Sequence, residues 1–301
     1  MSLWIPVTIA AALFQTLRFV LQKTLSQTTL SASGATFARF FYSAPLVALL
    51  LGAYISVTGQ ALPSMGVVFW LYGAVGGLAQ IIATLCVVLL FQARNFAVGI
   101  TFKKTETVQA VLVGFVVLGE SVSLLGFAAI LLGVLGVLLL SAPPEQAEWR
   151  LSHLANRAAG LGLASGVLFA VSAVCYRGAS LELAGEDIWL RAGTTLAAVT
   201  AMQFIAMGTW LAIRARPELV AVWHARRVAI WVGLMSMGGS FCWFVAFTLQ
   251  NAAYVKAVGQ IELIFSALVT ILVFRERVVM REWVGIAVLG ASILALVLVS
   301  S

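Results

Sequence analysis

The sequence predicts an all-α integral membrane protein of ten transmembrane helices, arranged as two inverted repeats of five. Three observations carry this expectation. Of the 301 residues, 62% are hydrophobic and 10% charged, whereas a soluble domain has about 45 to 50% apolar and about 25% charged residues. The mean hydropathy of +1.07 comes from apolar blocks that recur along the whole length. The two halves of the chain also repeat each other, and each half holds an odd number of spans.

A hydrocarbon core about 30 Å thick needs about 20 helical residues. Division at the polar breaks gives helices over 3–22, 33–57, 66–91, 95–118 and 122–141, then 158–181, 187–213, 228–249, 252–274 and 280–300. Apolar residues run continuously instead of alternating, which argues against an outer-membrane barrel. The first segment lacks a basic leader, since Lys23 follows it, so it reads as a retained span and not a signal peptide. The one long polar connector, 142–157, begins with Pro143-Pro144 and carries Glu145, Glu148, Arg150, His153 and Arg157. It links a first repeat, 1–141, to a second, 158–301. A second polar break, Arg214 to Arg227, contains Pro217.

Several function classes fall away. The net charge of +7 is spread thinly between apolar blocks, not gathered into a basic arm, so no nucleic-acid partner is expected. Cys86, Cys175 and Cys242 lie in apolar stretches and behave as small hydrophobes. His153 and His224 sit in connectors, which leaves no histidine pair for a zinc hydrolase. No phosphate-binding Gly-x-x-x-x-Gly-Lys-Ser/Thr loop is present. Neither a cofactor, a metal site nor an enzymatic activity is expected; the expected partners are the lipid bilayer and a small-molecule substrate.

Lys and Arg are retained on the cytoplasmic side. Near the connectors after helices 1, 3, 5, 7 and 9 lie Arg18, Lys23, Arg94, Arg150, Arg157, Arg214, Arg216, Arg226, Arg227, Arg275, Arg277 and Arg281, while the other side has Arg177, Arg191 and Lys256. Those five connectors are therefore expected inside and both termini outside, periplasmic in a bacterial-type inner membrane.

Shifting the chain by 156 residues aligns Gly77 with Gly233, Cys86 with Cys242, Phe91 with Phe247, Asn95 with Asn251, Glu106 with Glu262 and Glu120 with Glu276. Apolar coincidences are cheap in this composition, but two glutamates per half at one spacing are not. With five helices per half, the second copy enters from the opposite face, giving the inverted plan of many secondary transporters. Two such bundles rocking about a central site give alternating access; duplication without rocking, as in some channels, is the competing account.

Particular residues then carry a resemblance. Gly119-Glu120-Ser121-Val122 followed by Gly126 and Gly133, its counterpart Arg275-Glu276-Arg277-Val278 with Gly285 and Gly290, Ala38-Arg39-Phe40, and Glu262-Leu263-Ile264-Phe265 are similar to motifs of the drug/metabolite transporter superfamily, EamA type. Arg191 takes the place in helix 7 that Arg39 has in helix 2. The usual proline after the glutamate is missing at Glu106-Thr107 and Glu262-Leu263. The resemblance spans the chain and implies a ten-helix exporter of small metabolites, nearest to YddG-like exporters of aromatic and other amino acids. Drug or nucleotide-sugar carriers are the alternative; a membrane-embedded enzyme or a channel is a more distant one. Fused halves imply function as a monomer.

An ionisable group deep in the bilayer needs a partner or a watery cavity. Lys103, Glu106, Gln260 and Glu262 fall near the middle of helices 4 and 9, with Lys256 nearby. They either line a cavity or brace helices in pairs, and Lys104 is expected to point away from Glu106. Gln15, Arg18 and Gln22 form one stripe on helix 1; Arg18 either attracts an anion or, the favoured reading, snorkels to the interface. Gln80 and Ser240 are candidate cavity hydrogen-bonders. Trp243, in an aromatic cluster with Phe241, Phe244 and Phe247, either stacks on substrate or anchors at the interface. Glu120 and Glu276 read as caps or braces. Glycines 73, 76, 77, 133, 136, 238 and 239 suggest close helix packing, and Pro45 a kink.

Overall fold

The structure, a computed structural model, describes residues 2–91, 102–141, 157–265 and 280–300. Its helices are α1 (Trp4–Thr28), α2 (Ala32–Thr58), α3 (Val67–Phe91), α4 (Glu106–Leu118), α5 (Leu124–Ser141), α6 (Arg157–Leu181), α7 (Ile188–Arg214), α8 (Arg216–His224), α9 (Arg226–Leu249), α10 (Ala252–Gly259) and α11 (Met280–Ser300). No strand occurs among the described residues. Helices α1, α2, α3, α6, α7, α9 and α11 are long and apolar enough to cross a membrane, and α4 and α5 are shorter apolar helices. The chain is thus an all-α, multi-pass membrane protein. The expected linker lies outside the described residues except for Arg157, as do the start of the fourth expected span and most of the second half of the ninth.

Local chemistry moves some boundaries. Helix α1 runs six residues past its expected end because its polar tail is satisfied without leaving the helix. Thr24 and Thr28 hydroxyls donate to the Val20 and Thr24 carbonyls at 3.1 and 2.8 Å, and Gln27 Nε2 reaches Phe91 O, at the end of α3, at 3.3 Å. Helix α2 is capped at its start by Ser31, whose hydroxyl accepts from Gly34 N, and at its end by Gly59, in the left-handed region at φ 68°. Pro45 lies inside α2 without ending it. The break expected over Arg214 to Arg227 contains α8, with Pro217 in its first turn, where a missing N–H is no loss. Val222 of α8 is buried, and its carbonyl accepts from the Tyr42 hydroxyl at 3.2 Å. That one helix is therefore a buttress for α2, folded from what composition marks as a connector.

In lipid the helices gain little from hydrophobic burial, so close backbone approach counts for more. The tightest such contact joins α5 and α11. A Cβ on Gly136 would lie 2.7 Å from Leu289 N and 3.0 Å from Gly285 O, and one on Gly133 2.6 Å from Ser292 Oγ. Ser292 Oγ donates to Ala129 O at 2.7 Å across the same seam. Helix α3 packs on α6, with Gly76 against Cys175 and Tyr176; α1 packs on α9, with Gly239 against Phe14. The glycine clusters thus serve the packing that the sequence suggested.

One loop is pinned by charge. Asp187 caps α7 by accepting from Trp189 N and Leu190 N at 2.9 and 3.1 Å. Its other oxygen accepts from the Tyr54 hydroxyl at 2.7 Å and Gln60 Nε2 at 2.8 Å, tying the end of α2 to the start of α7. Partial burial opposes ionisation, but these donors outweigh it and hold the carboxyl below the usual aspartate range. The folded-state value is the lower one. The added stability is therefore present above the unfolded aspartate range and disappears as pH falls through the folded value.

Replacing Gly136 by Leu is expected to lower the melting temperature and folded yield of detergent-solubilised protein, because backbone atoms of α11 occupy the space. Gly290→Leu, where nothing lies within 4 Å, should leave both near wild type. Asp187→Ala is expected to cost about 1 kcal/mol, a deficit that shrinks when melting is measured at acid pH.

Candidate functional site

The site is built around two breaks in the helical backbone. Residues 102–103 are helical, 104–105 turn, and α4 begins at Glu106; α10 ends at Gly259, 260–261 turn, and helix resumes over 262–265. The turns are offset by the same 156 residues that separate Glu106 from Glu262. Each is tightened by three-residue bonds, Thr105 N to Phe102 O at 3.2 Å, Gln260 N to Ala257 O at 3.2 Å and Ile261 N to Val258 O at 3.1 Å. No proline is needed. Gln260 Nε2 donates to Thr107 Oγ1 at 2.6 Å and approaches Lys104 O at 3.5 Å, so one turn supplies a donor to the other.

Charge converges on these turns. Lys104 Nζ donates to Glu262 Oε1, and Gln15 Nε2 from α1 donates to Glu262 Oε2 at 2.5 Å. Lys103 Nζ stands between the carboxylates, 3.9 Å from Glu106 Oε2 and 3.8 Å from Glu262 Oε1. Lys256 Nζ is 3.8 Å from Glu106 Oε1. Aromatic faces surround the ammonium groups: Phe19 and Phe169 lie within 5.5 Å of Lys103 Nζ, and Trp243 is 5.0 Å from Lys256 Nζ. All five charged side chains are buried.

Beside this cluster lies a polar pocket. It is lined by Gln15 and Arg18 of α1, Arg39 of α2, Gln80 of α3, Phe169, Ser172, Ala173 and Tyr176 of α6, Met235, Ser236, Gly239, Ser240, Trp243, Phe244 and Phe247 of α9, and Lys256 of α10. Arg39 is held by two hydroxyls, Thr84 at 3.4 Å and Ser240 at 3.1 Å, which are themselves offset by 156 residues. Trp243 Nε1 donates to Gln15 Oε1 at 3.2 Å, its ring stacks on Phe247 and lies against Gly259. Gln203 Nε2 donates to Gln80 Oε1 at 3.0 Å and Tyr176 Oη at 3.2 Å, which fixes one wall.

Of the residues singled out from sequence, Gln15, Arg18, Gln80, Ser240 and Trp243 line the pocket. Lys103, Glu106, Gln260 and Glu262 lie in the adjoining ion cluster and do not line it. Arg18 corrects the snorkelling expectation. It is 4% exposed, its guanidinium lies 4.5 Å from the Phe19 ring centre, and its Nε has no hydrogen-bond partner. Lys104 does have an acidic partner, but on the other broken helix. Arg191 does not share the position of Arg39: it donates to Ser180 O at 3.0 and 2.8 Å, closing the end of α6. Glu120 braces α6 through Arg177 Nε at 2.5 Å, while Glu276 lies outside the described residues. The site selection from sequence omitted Arg39, Ser172, Tyr176, Ser236 and Lys256. Arg39 and Lys256 carried a signal, as basic residues inside apolar spans; Ser172, Tyr176 and Ser236 had none, because neutral polar residues are common on every span.

The class this geometry defines is a multi-pass helical membrane protein with a buried, polar, cationic pocket. No protein-family model matches the chain, and no curated protein matches it. Among solved structures, one described only as "Crystal structure of protein" is similar with a TM-score of 0.64, covering 96% of this chain and 98% of its own at 15% identity. A likeness at that identity shows a shared fold and does not extend to activity.

Removing one partner of a buried ion pair leaves a charge uncompensated, at about 3 to 5 kcal/mol. Glu262→Gln is therefore expected to destabilise strongly in thermal melts of the solubilised protein. Adding Lys104→Met to it should recover most of the loss, since that change removes the charge stranded by the first.

Proposed function

We propose that this chain is a secondary transporter that exports small metabolites, amino acids foremost, by alternating access. The observation that carries the reading is a buried polar pocket flanked by two helices broken at repeat-equivalent turns. Transporters place their sites at such discontinuous helices, because unwound backbone is tolerated in a membrane only where it faces protein or a cavity.

The packing pattern supports an architecture of ten spans in two inverted repeats. With α8 set aside as an added element, the repeat partners are α1 and α6, α2 and α7, α3 and α9, α4 and α10, α5 and α11. Exchanging partners carries the α1–α9 contact into the α6–α3 contact, and both are extensive. The α5–α11, α2–α7 and α4–α10 contacts map onto themselves. Such a pattern is what a pseudo-two-fold axis gives, and rocking about that axis alternately opens the pocket to either face. On the Lys/Arg bias, both termini are periplasmic in a bacterial-type inner membrane, and the monomer holds one complete site. Kinship with the drug/metabolite transporter superfamily, EamA type, belongs to the same proposal and rests on the sequence motifs.

The test uses the full chain in liposomes with labelled tryptophan as probe. Saturable uptake stimulated by unlabelled tryptophan inside is expected. Conductance without saturation points instead to a channel, preference for a nucleotide sugar to another carrier type, and product formation without flux to an enzyme. Ser236 is 2% exposed, lines the pocket, and its hydroxyl has no hydrogen-bond partner. Ser236→Ala breaks no internal bond, so it is expected to slow counterflow by up to roughly tenfold with melting unchanged. Unchanged flux in that variant removes the pocket from the transport path.

A further inference from the structure

We infer that the pocket is an anion seat that prefers an organic acid of net negative charge to a zwitterion of the same size; the inference rests on the transport reading above and, within its small metabolites, puts such acids ahead of the neutral amino acids. The first reason is a charge imbalance. Lys103, Lys104, Lys256, Arg18 and Arg39 are all buried, and the carboxylates buried among them are Glu106 and Glu262, so the described groups carry an excess of three positive charges. Burying charge without a partner is costly. Both carboxylates already face lysines, and neither lines the pocket.

The second reason is where the excess is displayed. Arg18 and Arg39 both line the pocket, each 4% exposed. Arg39 is positioned by the neutral hydroxyls of Thr84 and Ser240, which orient a guanidinium without neutralising it. Arg18 presents an Nε with no hydrogen-bond partner. A guanidinium fork matches a carboxylate, and charge-assisted bonds of that kind are about twice as strong as neutral ones. An ammonium group, by contrast, meets no free carboxylate among the described residues lining the pocket.

The third reason is the shape next to it. A narrow hollow, lined in part by Arg39, Gln80, Ser236 and Ser240, adjoins the seat. Through Val47, Leu196 and Met237 it adjoins a larger apolar one between α2, α7 and α9, walled by Leu51, Trp189 and Phe241. A cationic end and an apolar approach fit an acid with a hydrophobic body.

Three probes sharing one ring system separate the charges: indole-3-propionate is an anion, tryptophan a zwitterion, and tryptamine a cation. With the solubilised full chain, equilibrium dialysis is expected to show labelled indole-3-propionate binding at least tenfold tighter than tryptophan, with no competition by tryptamine. Arg39→Gln and Arg18→Gln should each weaken binding of the acid by roughly tenfold or more without lowering the melting temperature, because each removes surplus buried charge. Arg39→Lys should retain part of the affinity, and Arg214→Gln, at an exposed position, all of it. Absent binding of the acid, equal competition by tryptamine, or wild-type affinity in both glutamine variants overturns the inference. Counterflow in liposomes tells the two readings apart. Binding of the acid without flux leaves the seat and removes the transporter, whereas flux that prefers tryptophan or tryptamine leaves the transporter and removes the seat.

Discussion

The arrangement depends on how two carboxylates divide themselves among three lysines inside an apolar bundle. Glu262 takes Lys104, Glu106 takes Lys256, and Lys103 stands between them. In a medium where an isolated ion is severely penalised, no member can move far without stranding another. The cluster therefore joins the segment ahead of α4 to the segment after α10 more firmly than apolar contact does, since Leu against Leu is no better than Leu against lipid. Gln15 adds α1 to the same knot, and through Trp243 it adds α9.

That knot also accounts for the backbone. A helix interrupted inside a membrane leaves carbonyls and amides without their usual partners, and lipid offers none. Here the interruption is short because three-residue bonds close most of it, and because Gln260 carries donors to the facing turn. The lysines and glutamates then occupy the space that the turns open. Elsewhere the bundle is drawn tight by small residues, most directly where Gly136 and Gly285 let α5 and α11 touch through their backbones. Small-residue seams and an ionic knot beside a cavity are thus two different means by which the same bundle is held together.

Most of the helical layout was legible, because apolar blocks of about twenty residues leave few other options. Boundaries failed where polar residues satisfied themselves locally. Thr24 and Thr28 bond within α1, so their polarity did not stop it, and α8 hid in a segment whose charges and Pro217 read as a break. The turns at 104–105 and 260–261 were the reverse case: no proline marks them in the sequence, and the three-residue bonds and facing charges that hold them are set only once the two segments are packed together. For the site, sequence located the charges well and their neighbours poorly. Lys103, Glu106 and Glu262 were legible because charge is rare in these spans, whereas Ser236 and Tyr176 look like any other polar residue until α9 and α6 are packed face to face. Arg18 was misjudged because distance from a helix end was taken to mean access to water, and the added turn of α1 removed that access.

The treatment of Arg39 differs from that of the lysines, and the difference has a physical meaning. A carboxylate beside Arg39 would have lowered the cost of its burial, as Glu120 does for Arg177. It would also have neutralised the charge before any solute arrived. Thr84 and Ser240 instead fix the guanidinium by hydroxyl oxygens, which orient it and leave its field in the pocket. On the anion-seat inference, such a site would be least stable when empty, and a bound anion would gain what the protein forgoes. Such a gain has to be matched in both extreme conformations if a carrier is to release what it holds. Thr84 on α3 and Ser240 on α9 stand 156 residues apart, so on the proposed repeat they would be equivalent, and an exchange of the halves would substitute one for the other.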